Sequence, residues 1–238
     1  MSQSNLPEKE LEKLREKSLE LMGEAIYQQA KGSFDKAIEY FNNSLSLAEQ
    51  IKDQEAIMIR LSHIAKIYQL KSDTDQAIVH FEKALDYANQ LKYKPNIIVR
   101  LSHLATAHQH SGNYEKAIEY YNLSLDVIKE IEDNDWLVKE ITNLAVCYQS
   151  WGKMDLSIEK YKEAVDLSDF IGDYEGKVLR LCLLGMCYDS EEQYENALSV
   201  LENAYKIANH NRLPAYIDAL PETISNIQMK LNNKKSNK

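Results

Sequence analysis

The chain has 238 residues, of which only 7 are glycine and 4 are proline. Average usage would supply about 29 of these two residues together, and most turns depend on them for their backbone angles. The shortage argues against a β-sandwich, a β-barrel, a glycine-rich nucleotide-binding fold and a low-complexity linker, and favours long helices joined by short loops. The net charge of −9 disfavours nucleic acids and anionic membrane surfaces as partners, because both are bound through excess lysine and arginine.

The first 17 residues are charged and contain no apolar core, so they do not read as a signal peptide. We predict that residues 1–17 form a helical extension, with Pro7 near its start. The longest apolar run, Leu181 to Tyr188, is too short to span a bilayer. The three cysteines are Cys147, Cys182 and Cys187. They form no CxxC motif and their number is odd, which indicates reduced thiols in a cytoplasmic protein.

An internal repeat with a step of 40 residues occupies the middle of the chain. The segments FDKAIEYF, TDQAIVHF, YEKAIEYY, MDLSIEKY and YENALSVL start at Phe34, Thr74, Tyr114, Met154 and Tyr194. A second block precedes each of the last four segments. In the second repeat this block is Leu61, Ile64, Ala65 and Tyr68, whose i, i+3, i+4, i+7 spacing marks one face of a helix. Each repeat is therefore predicted to be a hairpin of two amphipathic helices, and stacked hairpins bury the two apolar stripes.

Short breaks separate the two helices of every hairpin. They fall at Gly32, Ser72, Gly112, Gly152 and Glu192. Glycine just past a helix end takes the left-handed angles of a C-terminal cap without steric strain. Asp53, Asp133 and Asp173 are predicted N-caps of first helices, and Pro95 lies in the first turn of another.

These residues resemble the tetratricopeptide repeat. The second repeat follows the family pattern closely. That pattern is a large apolar residue, a Leu-Gly or Leu-Ala pair, a tyrosine, an alanine, an aromatic residue and a further alanine. The matching residues there are Leu61, Ile64, Ala65, Tyr68, Ala77, Phe81 and Ala84. The 40-residue step is similar to that of kinesin light chains, G-protein-signalling adaptors and bacterial regulators. The resemblance implies an all-α solenoid of about five hairpins over residues 18–211, wound as a right-handed superhelix.

The C-terminal end lies outside the repeats. We predict that residues 212–232 form two capping helices, a short one and a longer one separated by Pro221. Residues 233–238 are predicted to be a disordered tail. The only basic cluster of the chain falls in this region and is predicted to be a solvated end. Its members are Lys230, Lys234, Lys235 and Lys238.

The resemblance also implies a ligand groove along the first helices of the hairpins. The groove residues carried over in this way are Ser62, His63, Lys66, Gln69, Ser102, His103, Thr106, Gln109, His110, Lys139, Thr142, Asn143 and Gln149. Polar side chains recur there in columns with the 40-residue step, and one column is His63, His103 and Asn143. Side chains with both donor and acceptor suit the backbone of a bound peptide. The alternative left open is that the columns are solvated remnants of one copied ancestor.

Neither a catalytic site nor a cofactor or metal site is predicted. His103 and His110 share a helix face, but no acidic residue or CxxC motif supports a metal centre. The sequence contains no GxSxG, P-loop or HExxH motif. Chaperone-tail binding is disfavoured, because Ser102, Thr106 and Leu179 stand where relatives with that function carry charged residues.

The function predicted from the sequence is that of a non-catalytic scaffold or adaptor, which binds a peptide or a partner protein in the groove. The alternative is a peptide-responsive regulator of the bacterial TPR-sensor type. The identity of the partner is not encoded in the motifs. Exposed tyrosine and leucine side chains on the end repeats leave self-association open.

Overall fold

The computed structural model describes residues 6–236, and within this range the chain is all-α with eleven helices and no strand. The helices are α1 (Glu8–Ala30), α2 (Phe34–Gln50), α3 (Gln54–Leu70), α4 (Thr74–Leu91), α5 (Lys94–His110), α6 (Tyr114–Ile131), α7 (Asn134–Ser150), α8 (Met154–Ile171), α9 (Tyr174–Ser190), α10 (Tyr194–His210) and α11 (Pro214–Ser236). The first ten correspond to the five predicted hairpins, so the predicted all-α repeat fold is confirmed. The chain divides into two compact parts after Val127.

A residue with left-handed backbone angles stands in each connection between helices, and these residues follow one another at intervals of 20 positions. They are Gly32, Lys52, Ser72, Lys92, Gly112, Glu132, Gly152, Gly172, Glu192 and Arg212. After each of the five predicted breaks, the next backbone N–H bonds back into the preceding helix, as from Ser33 to the carbonyl oxygen of Gln28 at 2.9 Å. This geometry is that of a Schellman cap, so every predicted break is a helix C-terminus.

The predicted N-caps are confirmed. The carboxylates of Asp53, Asp133 and Asp173 accept hydrogen bonds from the backbone N–H three residues further on, at 3.0, 3.0 and 2.9 Å. Each bond satisfies one of the free N–H groups of a helix start. Pro95 lies in the first turn of α5, as predicted.

In the part of the chain up to Val127, small alanines alternate with large side chains. Ala65 of α3 and Ala107 of α5 lie against Phe81 of α4, and all three are fully buried. The alanines let the helices approach closely enough for the ring to fill the space between them. Burying a phenylalanine side chain in this way stabilises the fold by roughly 1.5–3 kcal/mol.

The part from Ile128 onward repeats this packing and ends with α11. Tyr161 of α8 and Leu201 of α10 occupy the positions equivalent to Phe81. Helix α11 covers the last hairpin with Leu220, Ile227 and Leu231, each 4–6% exposed.

The prediction of two capping helices separated by Pro221 is wrong, because α11 is one helix that contains Pro221 in its interior. An interior proline loses a backbone hydrogen bond and costs about 3 kcal/mol. Apolar side chains on both sides of the proline, from Leu220 to Leu231, are buried in one core. At roughly 1.5–3 kcal/mol each, their burial exceeds the cost of the proline.

The prediction of a disordered, solvated tail is also wrong for residues 233–236, which are helical. Lys230 contacts Asp189 at 2.7 Å, Lys234 contacts Glu192 at 3.0 Å, and the Nζ of Lys235 lies 3.4 Å from Glu195. Acidic residues of the last hairpin thus hold the basic cluster along its surface. Residues 1–5 of the predicted extension, and residues 237 and 238 with Lys238, lie outside the described residues.

None of the helices between residues 6 and 236 combines the length and apolar character needed to cross a bilayer.

Candidate functional site

Helices α3 and α5 carry the predicted groove residues of the part up to Val127. His63 of α3 stacks on Phe41 with ring centroids 5.0 Å apart, and His103 of α5 packs on Phe81 at the same distance. The aromatic side chains of second helices thus hold the imidazoles of first helices in place. The Nδ1 atoms of both histidines are buried without a hydrogen-bond partner among the described residues.

The surroundings of these two imidazoles are basic. Burial lowers the pKa of His103 to about 3, and the charges of Lys66 and Arg100 act in the same direction. Burial, followed by the charge of Lys66, also lowers the pKa of His63. Both rings are therefore neutral at physiological pH, and each offers one donor and one acceptor nitrogen.

Gln69, Gln109 and Gln149 recur at the 40-residue step, and two of them bond within their own hairpins. The Tyr121 hydroxyl donates to Oε1 of Gln109 at 3.2 Å, and the Tyr161 hydroxyl donates to Oε1 of Gln149 at 3.1 Å. Each bond joins the two helices of one hairpin. The equivalent position for Gln69 is Phe81, which has no hydroxyl to donate to the Oε1 atom of Gln69. The Nε2 atom of Gln69 is also buried, without a partner in the described part of the chain.

The hydroxyl side chains of the predicted groove bond to their own helices. The Ser62 hydroxyl donates to the carbonyl oxygen of Met58 at 2.9 Å, and Ser62 is buried. The Thr106 hydroxyl donates to the carbonyl oxygen of half-buried Ser102 at 2.9 Å. The Thr142 hydroxyl donates to Val138 at 2.6 Å. Such bonds leave these side chains less available to a ligand than the sequence pattern implies.

The remaining predicted residues are exposed. Lys66 and His110 are accessible on α3 and α5, and Lys139 and Asn143 are accessible on α7. The Asn143 amide donates to the carboxylate of Glu140 at 3.1 Å. Up to Val127 the structure therefore brings His63, Lys66 and His103 into one basic environment, whereas the predicted residues beyond it lie along α7 alone.

Sequence reasoning missed a column of buried charged residues. Arg60, Arg100, Glu140 and Arg180 follow one another at the 40-residue step, and each is between 3% and 8% exposed. Arg60 donates from Nε to the Ser44 hydroxyl at 3.1 Å, and Arg180 donates from Nε to the Thr142 hydroxyl at 2.9 Å. The same periodicity could have found this column, but charged residues on a helix are ordinarily assigned to the solvated face.

Other reactive side chains are placed in or near the core. Cys147 and Cys187 are buried and Cys182 is half-buried, all as free thiols. Burial raises the pKa of Cys147 and of Cys182 to about 11, so both are protonated at neutral pH. His108 is 4% exposed and stacks on Tyr120 with ring centroids 5.4 Å apart, so it lies in the core. Residues 6–236 contain no cluster of three or more metal-ligating side chains.

A cavity lies between α9, α10 and α11. It is a pocket of about 270 Å³ with a mostly apolar lining, which includes Met186, Leu201, Tyr216 and Ile227. Asp189 at its rim is neutralised by Lys230. This pocket therefore has the character of a site for an uncharged group.

Comparisons with known proteins agree on the fold. The family model described as tetratricopeptide repeat matches residues 16–90, 97–167 and 137–210. A putative kinesin light chain of Podosopora anserina with TPR-like repeats is 17% identical, with a TM-score of 0.69 over 81% of this chain and 96% of that one. The apo form of RapI is 16% identical, with a TM-score of 0.72 over 92% and 84%. These likenesses show the fold alone.

A Rap protein complexed with competence and sporulation factor is also similar, at 17% identity and a TM-score of 0.64. That alignment covers 84% of this chain but only 56% of the Rap protein. No curated protein matches the sequence.

Proposed function

Because the chain belongs to the tetratricopeptide repeat family, we propose that it is a non-catalytic interaction scaffold. The first helices of its hairpins bind a peptide or an extended segment of a partner protein. A repeat fold suits this role, since it presents a large surface that its own packing does not cover.

The observation that carries the proposal is a set of unsatisfied polar atoms on α3 and α5. The Nδ1 atoms of His63 and His103 and the Nε2 atom of Gln69 are buried without partners in the described residues. A buried polar atom without a hydrogen bond costs roughly 1–3 kcal/mol. The three side chains are half-buried as a whole. A peptide backbone offers both N–H and C=O groups, so a bound peptide toward which these side chains turn would satisfy such atoms and recover part of this free energy.

The proposal is tested with a library of random peptides displayed on phage and panned on the purified chain. We expect His103→Glu and Asn143→Glu each to lower the affinity of the selected peptides at least tenfold, because each places a carboxylate on a first helix among the predicted groove residues. Asn43→Glu is the matched control, since it makes the same change in charge at an exposed position on a second helix. Thermal unfolding establishes that the variants fold. Unchanged affinity in both face variants would place binding elsewhere.

A second candidate is a peptide-responsive regulator. Its support is the likeness to RapI over 92% of this chain and to a Rap protein that has been seen complexed with competence and sporulation factor. Small-angle scattering with and without a selected peptide separates the two candidates. A regulator contracts or extends on binding, whereas a static scaffold keeps its radius of gyration.

A further inference from the structure

Arg60, Arg100 and Arg180 occupy equivalent positions in the second, third and fifth repeats and are all buried. A guanidinium stays charged in proteins. Burying it without hydrogen bonds or a counter-ion is strongly unfavourable. Because the three arginines occupy equivalent positions, the partners of each can be compared with those of the other two.

Two of the three arginines are well paired. Arg60 donates to the hydroxyls of Ser44 at 3.1 Å and Ser18 at 3.3 Å, and the charge of Asp53 opposes the lowering of its pKa by burial. Arg180 donates to Thr142 at 2.9 Å and forms an ion pair with Asp173 at 3.0 Å.

Three of these partners are missing around Arg100, and the fourth is not bonded to it. Ala84 stands where Ser44 would be, Met58 where Ser18 would be, and Tyr93 where Asp53 and Asp173 would be. Ser62, the equivalent of Thr142, keeps a hydroxyl that could accept a hydrogen bond, but the Nε atom of Arg100 does not bond to it.

Within residues 6–236, the side chain of Arg100 has no hydrogen-bond or ion-pair partner. Its Nε atom is buried without a partner although the side chain is only 8% exposed. The third repeat thus contains a buried cation that has none of the partners seen in the second and fifth repeats.

The groups around Arg100 add positive charge. Burial and the charge of Arg100 both lower the pKa of Lys66. Burial alone lowers the pKa of Arg100, with no acidic residue acting against it. His63 and His103 also interact with both cations. The chain has a net charge of −9, so the surroundings of Arg100 and Lys66 are a local concentration of positive charge. Lys66 is exposed, so solvent reaches this part of the surface.

We propose that Arg100 and Lys66 form an oxyanion-binding site on the α3–α5 face, which takes a carboxylate or phosphate group carried by the bound partner. The planar fork of a guanidinium matches two oxygens of such a group, and the lysine adds a point charge. The neutral imidazoles of His63 and His103 supply further donors at its edge. This inference rests on the proposed function, because the anion belongs to the partner.

The direct test follows the Nε–H signal of Arg100 by NMR of the ¹⁵N-labelled full chain. Inorganic phosphate and sodium acetate are titrated in separate arms, with sodium chloride at matched ionic strength as the control. We expect a saturable shift with phosphate or acetate and none with chloride, and the arm with the tighter binding identifies the anion class. Lys66→Gln should weaken that binding at least tenfold, whereas Lys83→Gln should leave it unchanged. No shift at Arg100 in either arm overturns the proposal.

The anion site and the proposed function fail in distinguishable ways. If the anion titration succeeds while the library yields no peptide, the anion site stands and the peptide-binding function does not. If peptides bind but the anion titration fails, the peptide-binding function stands and the anion site does not. When both succeed, changing the acidic residues of a selected peptide to amides should lower its affinity tenfold for the unmodified chain and hardly at all for Arg100→Gln.

Stability gives an independent check, because a structural arginine and a ligand-binding arginine respond differently. Arg180→Met removes a paired cation and leaves Asp173 alone, so its urea midpoint should fall. Arg100→Met removes an unpaired buried cation, so its midpoint should stay the same or rise. A fall for Arg100→Met as large as that for Arg180→Met would show a structural role and overturn the proposal.

Discussion

Gly185→Ala tests how the last hairpin closes. Earlier repeats place an alanine at this position against an aromatic ring, as Ala65 lies against Phe81. In the fifth repeat Gly185 lies under Leu201 instead. A methyl group added to Gly185 would stand 2.8 Å from both Cγ and Cδ2 of Leu201, which is 2% exposed and closely surrounded. The branched leucine thus occupies the space that a flat ring leaves for the alanine.

The expected magnitude follows from two opposing effects. Overpacking a core costs roughly 1–3 kcal/mol, and replacing a helical glycine with alanine gains roughly 0.5–1 kcal/mol. The net change for Gly185→Ala is therefore a loss of about 1 kcal/mol, and up to about 2 kcal/mol. Gly23→Ala is the matched control, because Gly23 lies in α1 with no atom within 4 Å of the added methyl group. It should gain up to about 1 kcal/mol.

The assay is urea unfolding followed by far-ultraviolet circular dichroism, with the free energy taken from the midpoint and slope. Leu201→Ala removes the clashing atoms, so Gly185→Ala in that background should become stabilising. The resulting coupling between the two sites should be at least about 1 kcal/mol. If Gly185→Ala stabilises the unmodified chain as much as Gly23→Ala does, the contact with Leu201 does not limit the packing and the reasoning is refuted.

Two further predictions concern the turns and the thiols. Ser72 and Gly112 occupy equivalent left-handed turns with φ of 61° and 77°, so Ser72→Gly should gain and Gly112→Ala should lose about 1 kcal/mol in the same urea assay; equal effects of one sign would contradict this. The pKa of Cys182 is raised to about 11, so the thiol is protonated below that pH. Its alkylation by iodoacetamide at pH 7.5 should be about tenfold slower than in the unfolded chain, since the smaller thiolate fraction outweighs the higher nucleophilicity. Mass spectrometry should show the rate still rising between pH 9 and pH 10, and a plateau there would be inconsistent with the raised pKa.

The hairpins could be predicted from the sequence because their determinants are local and repeated. The spacing of Leu61, Ile64 and Ala65 defines a helix face, and a capping aspartate or a left-handed residue marks each end. Helix α11 could not be predicted in the same way. It has no earlier copy in the chain, and its continuity through Pro221 depends on burial against residues far away in the sequence. The ion pair between Lys230 and Asp189 likewise joins residues that no periodic pattern connects.

The sequence predicted which positions form the candidate site, but not which of their side chains are already hydrogen-bonded within the protein. The 40-residue step shows that Gln69, Gln109 and Gln149 are equivalent, but it does not show which of them already have partners. That information lies twelve residues further on, where Tyr121 follows Gln109 and Phe81 follows Gln69. Whether a hydroxyl at that distance reaches the glutamine depends on how the two helices of a hairpin pack, which only the structure shows.

Equivalent positions in a repeat protein serve as internal controls for one another. The same side chain occurs in several copies of one environment, so a copy that has lost its partners stands out. Gln69 differs from Gln109 by the loss of one hydroxyl, and Arg100 differs from Arg180 by the loss of a carboxylate. Both of these unsatisfied residues lie on α3 and α5. A ligand that offers a peptide backbone to Gln69 and an oxyanion to Arg100 would satisfy both together, so the peptide and anion experiments are expected to report on a single face.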